Sequence, residues 1–336
     1  MNMPRAGLTG FLFFLVVAVL CSQHAVADKT GDFSPKIILD TDLDSDVDDV
    51  GAMAMLLHLH KAGIIELAGI VVTSDDPFAP VCASSILRFY GFPEIPVGFL
   101  KNQSVLKNHS RYTKSISEEY KPAFSSWKDA EDAVGLYRKL LSRNPDNSVT
   151  IVSIGHLSSL QQLLQSKADD LSPLNGHDLV NQKVSRWICM GGKFPQGKEA
   201  NFYRPDPQST VYCLANWQKE VVFCGWEVGN KIVTGGIGMK KALPSKHILY
   251  RSYELYNNFA GRPSWDPVAV LLLTGKADDF FQTFRGNCLV AEDGSNTWKD
   301  NPSGNHQMVV IKSGIPPEEV SAFTEMLMTG AKILSE

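Results

Sequence analysis

Between Asp40 and Asp49 the chain places six aspartates, Asp40, Asp42, Asp44, Asp46, Asp48 and Asp49, in ten residues. Ile37-Ile38-Leu39 precede them and the apolar segment Val50 to Leu57 follows. The aliphatic run is that of a buried parallel strand, and the segment after the acids reads as a helix too apolar for an exposed surface. The acidic stretch is therefore pinned between two buried elements at the C-terminal end of a strand, the edge where open α/β sheets bind ligands. So many like charges repel unless something positive sits among them. Oxygen-only donors without a neighbouring His/Cys pair favour a hard cation, Ca²⁺ or Mg²⁺, over zinc.

Three other uses of such a stretch fit less well. In an EF-hand loop counted from Asp42, the required Gly falls on Val47 and the terminal Glu on Met53; counted from Asp44 they fall on Asp49 and Met55. The haloacid-dehalogenase signature, strand then D-x-D-x-T, uses Asp40 and Asp42, but Asp44 stands where Thr or Val is expected. A merely solvated acidic turn seldom lies between two buried elements.

With 336 residues, the chain is long enough for one large α/β domain: an open, mostly parallel sheet flanked by helices. The formal net charge of -4, without a Lys/Arg-rich run, gives no reason to expect a nucleic acid polymer or an anionic membrane as partner. Arg5, the apolar run Phe11 to Leu20 and Ala25-Val26-Ala27 read as a secretory signal peptide over residues 1–27, cleaved before Asp28. The apolar run is shorter than the roughly 20 residues of a spanning helix, and bulky Leu20 before Cys21 argues against a lipoprotein box. The expectation is a mature domain over 28–336, secreted or periplasmic, with no membrane association after cleavage. Cys82, Cys189, Cys213, Cys224 and Cys288 remain, an odd number far apart in sequence, so this is not a disulfide scaffold. Sequons at Asn102 and Asn108 matter only in a eukaryotic host.

Further along, Ala68 to Thr73 is a second buried strand ending near Asp75 and Asp76, followed by a helix from about Val81 to Tyr90. Residues 99–127 read as a long loop carrying the aromatics Tyr112, Phe124 and Trp127. Strands are expected at Val149 to Ser153, Val184 to Met190 and Val221 to Phe223; Gly155-His156-Leu157 opens a helix, and Glu199 and Asn201 follow a Gly-Gly turn. Asp266-Pro267 begins an apolar helix, with Pro in the first turn where its missing N–H costs nothing. The tail from Gly286 to Ile311 reads as two strands joined by the Asp293-Gly294-Ser295 turn and a second Pro/Gly loop, and Pro316 to Leu334 as an amphipathic helix.

In this order, D-T-D with a following D-D, G-H-L, E-x-N and W-D-P resemble the motifs of the inosine-uridine preferring nucleoside hydrolase family over about residues 36–335. The loop Leu43 to Val47 matches the family's D-T-D-x-G-S-D-x-D-D variant, with Asp44 in place of its Gly. The resemblance implies Ca²⁺ held by Asp42, Asp49, the Ile154 carbonyl and Asp266, with Asp42 also the base that activates water. It implies a ribose gripped by Asp48 or Asp46 and by Glu199 and Asn201, with Asp76 a further candidate. His156 stands at the family's Pro position and reads as a helix-start residue without chemistry. Trp265 occupies the place where many members have His, and implies stacking of a purine, the second aromatic being Tyr112 or Trp127. The implied reaction is hydrolysis of small-molecule ribonucleosides to ribose and free base, and a homo-oligomer is left open. The alternatives are a dehalogenase-type phosphatase with Asp40 as nucleophile, and a secreted Ca²⁺-dependent ribose- or nucleoside-binding protein without turnover.

Overall fold

The computed structural model describes residue 1 and residues 34–101 and 106–331. The expected leader, the sequon at Asn102 and the end of the last helix lie outside the described residues. Among the described residues thirteen strands form: β1 (Lys36–Thr41), β2 (Glu66–Val72), β3 (Val97–Phe99), β4 (Glu131–Asp132), β5 (Val149–Ser153), β6 (Val184–Met190), β7 (Gln196–Lys198), β8 (Glu220–Cys224), β9 (Val233–Thr234), β10 (Arg262–Pro263), β11 (Phe281–Val290), β12 (Ser295–Asp300) and β13 (His306–Ile311). Eleven of them make one sheet in the order β4-β3-β2-β1-β5-β6-β8-β13-β11-β12-β7, and β9 and β10 pair as a small ribbon. Neighbours are parallel from β4 through β13, and β11, β12 and β7 continue the sheet antiparallel.

β1 lies inside this sheet between β2 and β5, and its side chains divide by the two-residue period of a strand. Ile37 and Leu39 enter a core that includes Met53 and Leu57 of the first helix (Asp48–Lys61) and Val268 to Leu271 of the Trp265–Leu271 helix. Ile38 points to the opposite core, with Leu136 and Leu140 of the Ala133–Arg143 helix and Leu160 and Leu163 of the Ser158–Gln165 helix. With helices on both faces, every residue of β1 after Lys36 is buried. The first helix is likewise buried from Asp48 through Leu57, so the acidic turn between the two cannot swing out into solvent.

The structure departs from the sequence reading in three places. The 99–127 segment is not wholly irregular: Thr113–Glu119 is a helix packed on the Ala79–Tyr90 helix. The tail holds three strands, because the Asn301 to Asn305 loop leads from β12 into β13, which rejoins the parallel sheet beside β8. β7 is an edge strand whose Gln-Gly-Lys composition carries no strand signal; pairing with β12 supplies its order. The five cysteines from Cys82 onward are all free and buried.

Candidate active site

The C-terminal ends of β1, β5 and β6 open into a cavity of about 350 Å³, a normal size for a small-molecule site. Asp42, Asp46, Asp48, Asp49, Ile154, Glu199, Asn201, Trp265 and Asp266 all line it, although they come from widely separated parts of the chain. Carboxylate oxygens of Asp48, Asp49 and Asp266 lie within 4.8 Å of one another, and all three residues are buried. Asp42 is hydrogen-bonded to Asp49. The backbone N–H of Asp266 donates to Asp48 Oδ2 at 3.2 Å, which ties the start of the Trp265–Leu271 helix to the start of the first helix.

Local geometry explains why these groups meet. Leu43 takes φ 44°, a left-handed conformation for a residue whose side chain is fully buried, and its N–H donates to Asp49 Oδ1 at 3.2 Å. That conformation costs roughly 1–2 kcal/mol for a residue with a Cβ, and the buried side chain and the Asp49 bond hold it. Gly155 faces Asp42 so closely that a Cβ there would stand 2.8 Å from the Asp42 backbone nitrogen and 2.9 Å from its Cβ. The absence of a side chain lets the Asp42 turn sit against Gly155.

Burial and mutual repulsion govern the charges. The carboxyls of Asp42, Asp48 and Asp266 are pushed well above the usual range, first by burial and then by neighbouring aspartates. Burial raises Asp49 to about 6, held back by bonds from the Thr41 hydroxyl and the Leu43 N–H. An all-oxygen set of buried carboxylates and a backbone carbonyl, with no nitrogen or sulfur donor, fits a hard divalent cation.

Other residues singled out in the sequence fall in different places. Asp40 is 1 % exposed and does not line this cavity; Thr73 Oγ1 donates to its Oδ1 at 2.5 Å and Tyr137 OH to its Oδ2 at 2.7 Å. A nucleophile for phosphoryl transfer needs an open approach, which Asp40 lacks. Asp76 is fully buried away from the cavity and accepts from Thr113 Oγ1 (2.6 Å), Asn108 Nδ2 (2.8 Å) and the Phe78 N–H (2.9 Å), so it clamps the 106–113 segment. Its neighbour Asp75, with His156, lines an adjoining cavity of about 380 Å³. His156 Nδ1 lies 3.0 Å from Ser158 Oγ, a contact at the helix start. Glu199 lines the main cavity, yet its carboxylate accepts the N–H groups of Gly192 (3.1 Å) and Asn201 (3.0 Å) and caps the short Ala200–Tyr203 helix. Asn201 Nδ2 donates to the Ile154 carbonyl (3.1 Å) and the Met190 carbonyl (3.2 Å).

Part of the cavity lining is aromatic and basic. Trp265 belongs to it, its indole N–H donating to the Trp226 carbonyl at 3.0 Å. Gly229 packs against the backbone end of this residue, since a Cβ there would stand 2.5 Å from Trp265 Cα and 2.5 Å from its Cδ1. The second large aromatic is Trp226 rather than Tyr112 or Trp127. Tyr112 is fully buried and donates its hydroxyl to the Asp46 carbonyl (2.7 Å), and Trp127 packs on Phe99 at 5.9 Å between rings. Trp226 follows directly after β8, so its position at a C-terminal sheet edge was the available signal. Arg262, also unanticipated, lies on the same wall and pairs with Asp46 at 2.5 Å.

A family model described as inosine-uridine preferring nucleoside hydrolase matches residues 37–314. No curated protein sequence matches the chain. Among solved structures, the purine-preferring ribonucleoside hydrolase from Gardnerella vaginalis is similar at 18 % identity and a TM-score of 0.68, with 89 % of this chain and 99 % of that one covered. The inosine-uridine preferring nucleoside hydrolase from Bacillus anthracis is similar at 16 % identity and a TM-score of 0.65, covering 88 % of this chain and 99 % of that one. A plant nucleoside hydrolase, the PpNRh1 enzyme, is similar at 16 % identity and a TM-score of 0.66, again covering 88 % of this chain and 99 % of that one. At these identities the likeness to solved structures is one of fold.

Two outcomes follow from the charge arrangement. A carboxyl whose folded pKa is raised holds its proton in the folded state after the unfolded chain has released it, so stability declines as pH climbs through the folded value. Asp40, at about 7, and the raised Asp42, Asp48 and Asp266 act in this way. His156, His247 and His306, lowered to about 4 by burial, contribute the opposite slope, but only below the unfolded histidine value of 6.5. The melting temperature of metal-free protein should therefore fall as pH climbs from about 6.5 through about 7, and a saturating divalent cation should reduce the fall to the part that Asp40 contributes; thermal unfolding with and without chelator checks it, and a metal-free Tm that rises over this window contradicts it. Gly155→Ala should displace the Asp42 turn and weaken cation binding by about tenfold or more while leaving the chain folded, as read by calcium titration beside circular dichroism.

Proposed function

The chain belongs to the inosine-uridine preferring nucleoside hydrolase family and is a hydrolase acting on N-glycosyl bonds, and from that premise we propose that it is a calcium-dependent enzyme that cleaves purine ribonucleosides to ribose and free base. The observation that carries this reading is a single cavity lined both by a buried carboxylate set and by two indoles, Trp265 and Trp226. Asp42, Asp49, Asp266 and the Ile154 carbonyl are the groups that would hold the ion. When bound, calcium supplies the positive charge that holds sugar hydroxyls and acidifies the attacking water. Asp42 takes the proton from that water as its oxygen adds to the anomeric carbon. The sugar passes through an oxocarbenium-like state, which the surrounding carboxylates stabilise. Asp48 is assigned to the ribose hydroxyls, because Asp46 is engaged by Arg262. Asn201 fixes the sugar side of the cavity from its bridge between Ile154 and Met190.

At the base end, an indole N–H committed to the Trp226 carbonyl delivers no proton, so what Trp265 offers the base is its flat face. A purine, with two fused rings, gains more from that face than a pyrimidine does. The purine preference named for the Gardnerella vaginalis relative agrees with this reading. Released ribose measured over a panel of nucleosides tests it. Inosine and guanosine should be cleaved much faster than uridine and cytidine, and Asp42→Ala should lose about 10²- to 10⁴-fold in turnover. Trp265→Ala should lower kcat more than it raises KM. Equal rates on inosine and uridine contradict the purine assignment, and full activity in Asp42→Ala contradicts the base assignment.

A further inference from the structure

When a glycosidic C–N bond breaks, its electron pair goes to the base nitrogen, and the base departs readily only if a proton or a positive donor meets that charge. No histidine lines the cavity among the described residues, and the Trp265 N–H is bonded to a backbone carbonyl. The basic side chains in the lining are Lys198 and Arg262. Lys198 is paired with Asp293 at 3.0 Å and lies over the Tyr203 ring. Arg262 instead belongs to the base wall. Its guanidinium carbon is 4.7 Å from the centre of the Trp265 ring and 5.6 Å from that of Tyr256, and its Nη2 contacts Asp46 Oδ2 at 2.5 Å. Its Nε is buried and has no hydrogen-bond partner among the described residues. Two ring contacts and one carboxylate thus hold a planar, five-donor cation beside the indole face, with donor capacity left over.

We propose that Arg262 is a catalytic residue that activates the leaving base by donating N–H hydrogen bonds to it as negative charge develops. The proposal rests on the nucleoside hydrolase reading of the same cavity and deepens it. The C1′–N9 bond of the purine nucleoside breaks and its electron pair moves to the purine. The water oxygen bonds C1′ and its proton passes to Asp42. A guanidinium keeps its own protons near neutral pH, so the purine leaves as a guanidinium-paired anion and is protonated afterwards from solvent, while Asp42 returns its proton to solvent. The sum is nucleoside plus water giving ribose plus base. Asp46 is then a positioning residue that acts through Arg262.

Leaving-group activation is separable from everything else the cavity does. Inosine needs such help, whereas p-nitrophenyl β-D-ribofuranoside releases a stable phenolate without it. Arg262→Met should lower kcat on inosine by ~10²- to 10³-fold, the usual loss for one such donor, and leave kcat on the p-nitrophenyl riboside nearly unchanged. Arg262→Lys, which keeps a partner for Asp46, should show the same split at smaller magnitude, and added guanidinium chloride should restore part of the inosine rate to Arg262→Met. Parallel losses on both substrates in either variant, or a wild-type rate on inosine in Arg262→Met, overturn the proposal while the hydrolase reading stands. A wild-type enzyme inactive on both substrates overturns that reading, and this proposal with it.

Discussion

Mutual repulsion among buried carboxylates is the constraint on which the site depends. Asp42, Asp48, Asp49 and Asp266 are brought together at the sheet's C-terminal edge; burial is the largest influence on each, followed by neighbouring aspartates for Asp42, Asp48 and Asp266 and by the Thr41 and Leu43 hydrogen bonds for Asp49. Desolvating even one unpaired carboxylate is costly, and four together are compatible with a stable fold only if they hold protons or share a cation. The chain accepts this cost where it is best placed to resist it. The first helix and β1 are buried on both sides of the acidic turn, and Leu43 and Gly155 lock the turn against β5. Rigidity of this kind keeps the carboxylates from relaxing apart and maintains a site for a hard cation.

The cavity divides its chemistry by charge. Its floor is acidic and suits an ion, a water molecule and a developing oxocarbenium. Another part of its lining is made of two indoles and a guanidinium and suits a departing base that gains negative charge. The Asp46–Arg262 pair joins the two halves across 216 residues of sequence, and the Asp266 N–H to Asp48 bond ties the start of the Trp265–Leu271 helix to the acidic floor. The Trp265–Leu271 helix thus delivers a carboxylate to the floor and an indole to the wall from adjacent residues.

How much of this was legible in the sequence depends on whether a feature is local. β1, the aspartate run and the buried first helix could be read directly, because hydrophobic period and charge spacing are local properties and the fold obeys both. Asp266 was legible through its Asp-Pro helix start in the company of the earlier motifs. Trp226 and Arg262 were not, because their roles arise from tertiary packing: Gly229 seats the Trp265 indole beside the Trp226 carbonyl, and Arg262 acquires meaning only when Asp46 faces it. Asp76 shows the reverse case. Its position after a strand of the sheet suggests a site residue, yet its buried carboxylate is taken up by Thr113 Oγ1 and Asn108 Nδ2 of the 106–113 segment. β7 escaped notice because its order comes from β12 and not from its own composition.

The central claim is that the carboxylate cluster exists to hold one hard cation. Equilibrium dialysis of purified, chelator-stripped protein against calcium measures this directly, with bound ion counted per chain. The account predicts one tightly bound Ca²⁺ per chain for the wild type and none for Asp266→Ala, since removing one ligand leaves the remaining set incomplete. Wild-type protein that binds no calcium, or an Asp266→Ala variant that binds it as tightly as wild type, would contradict it.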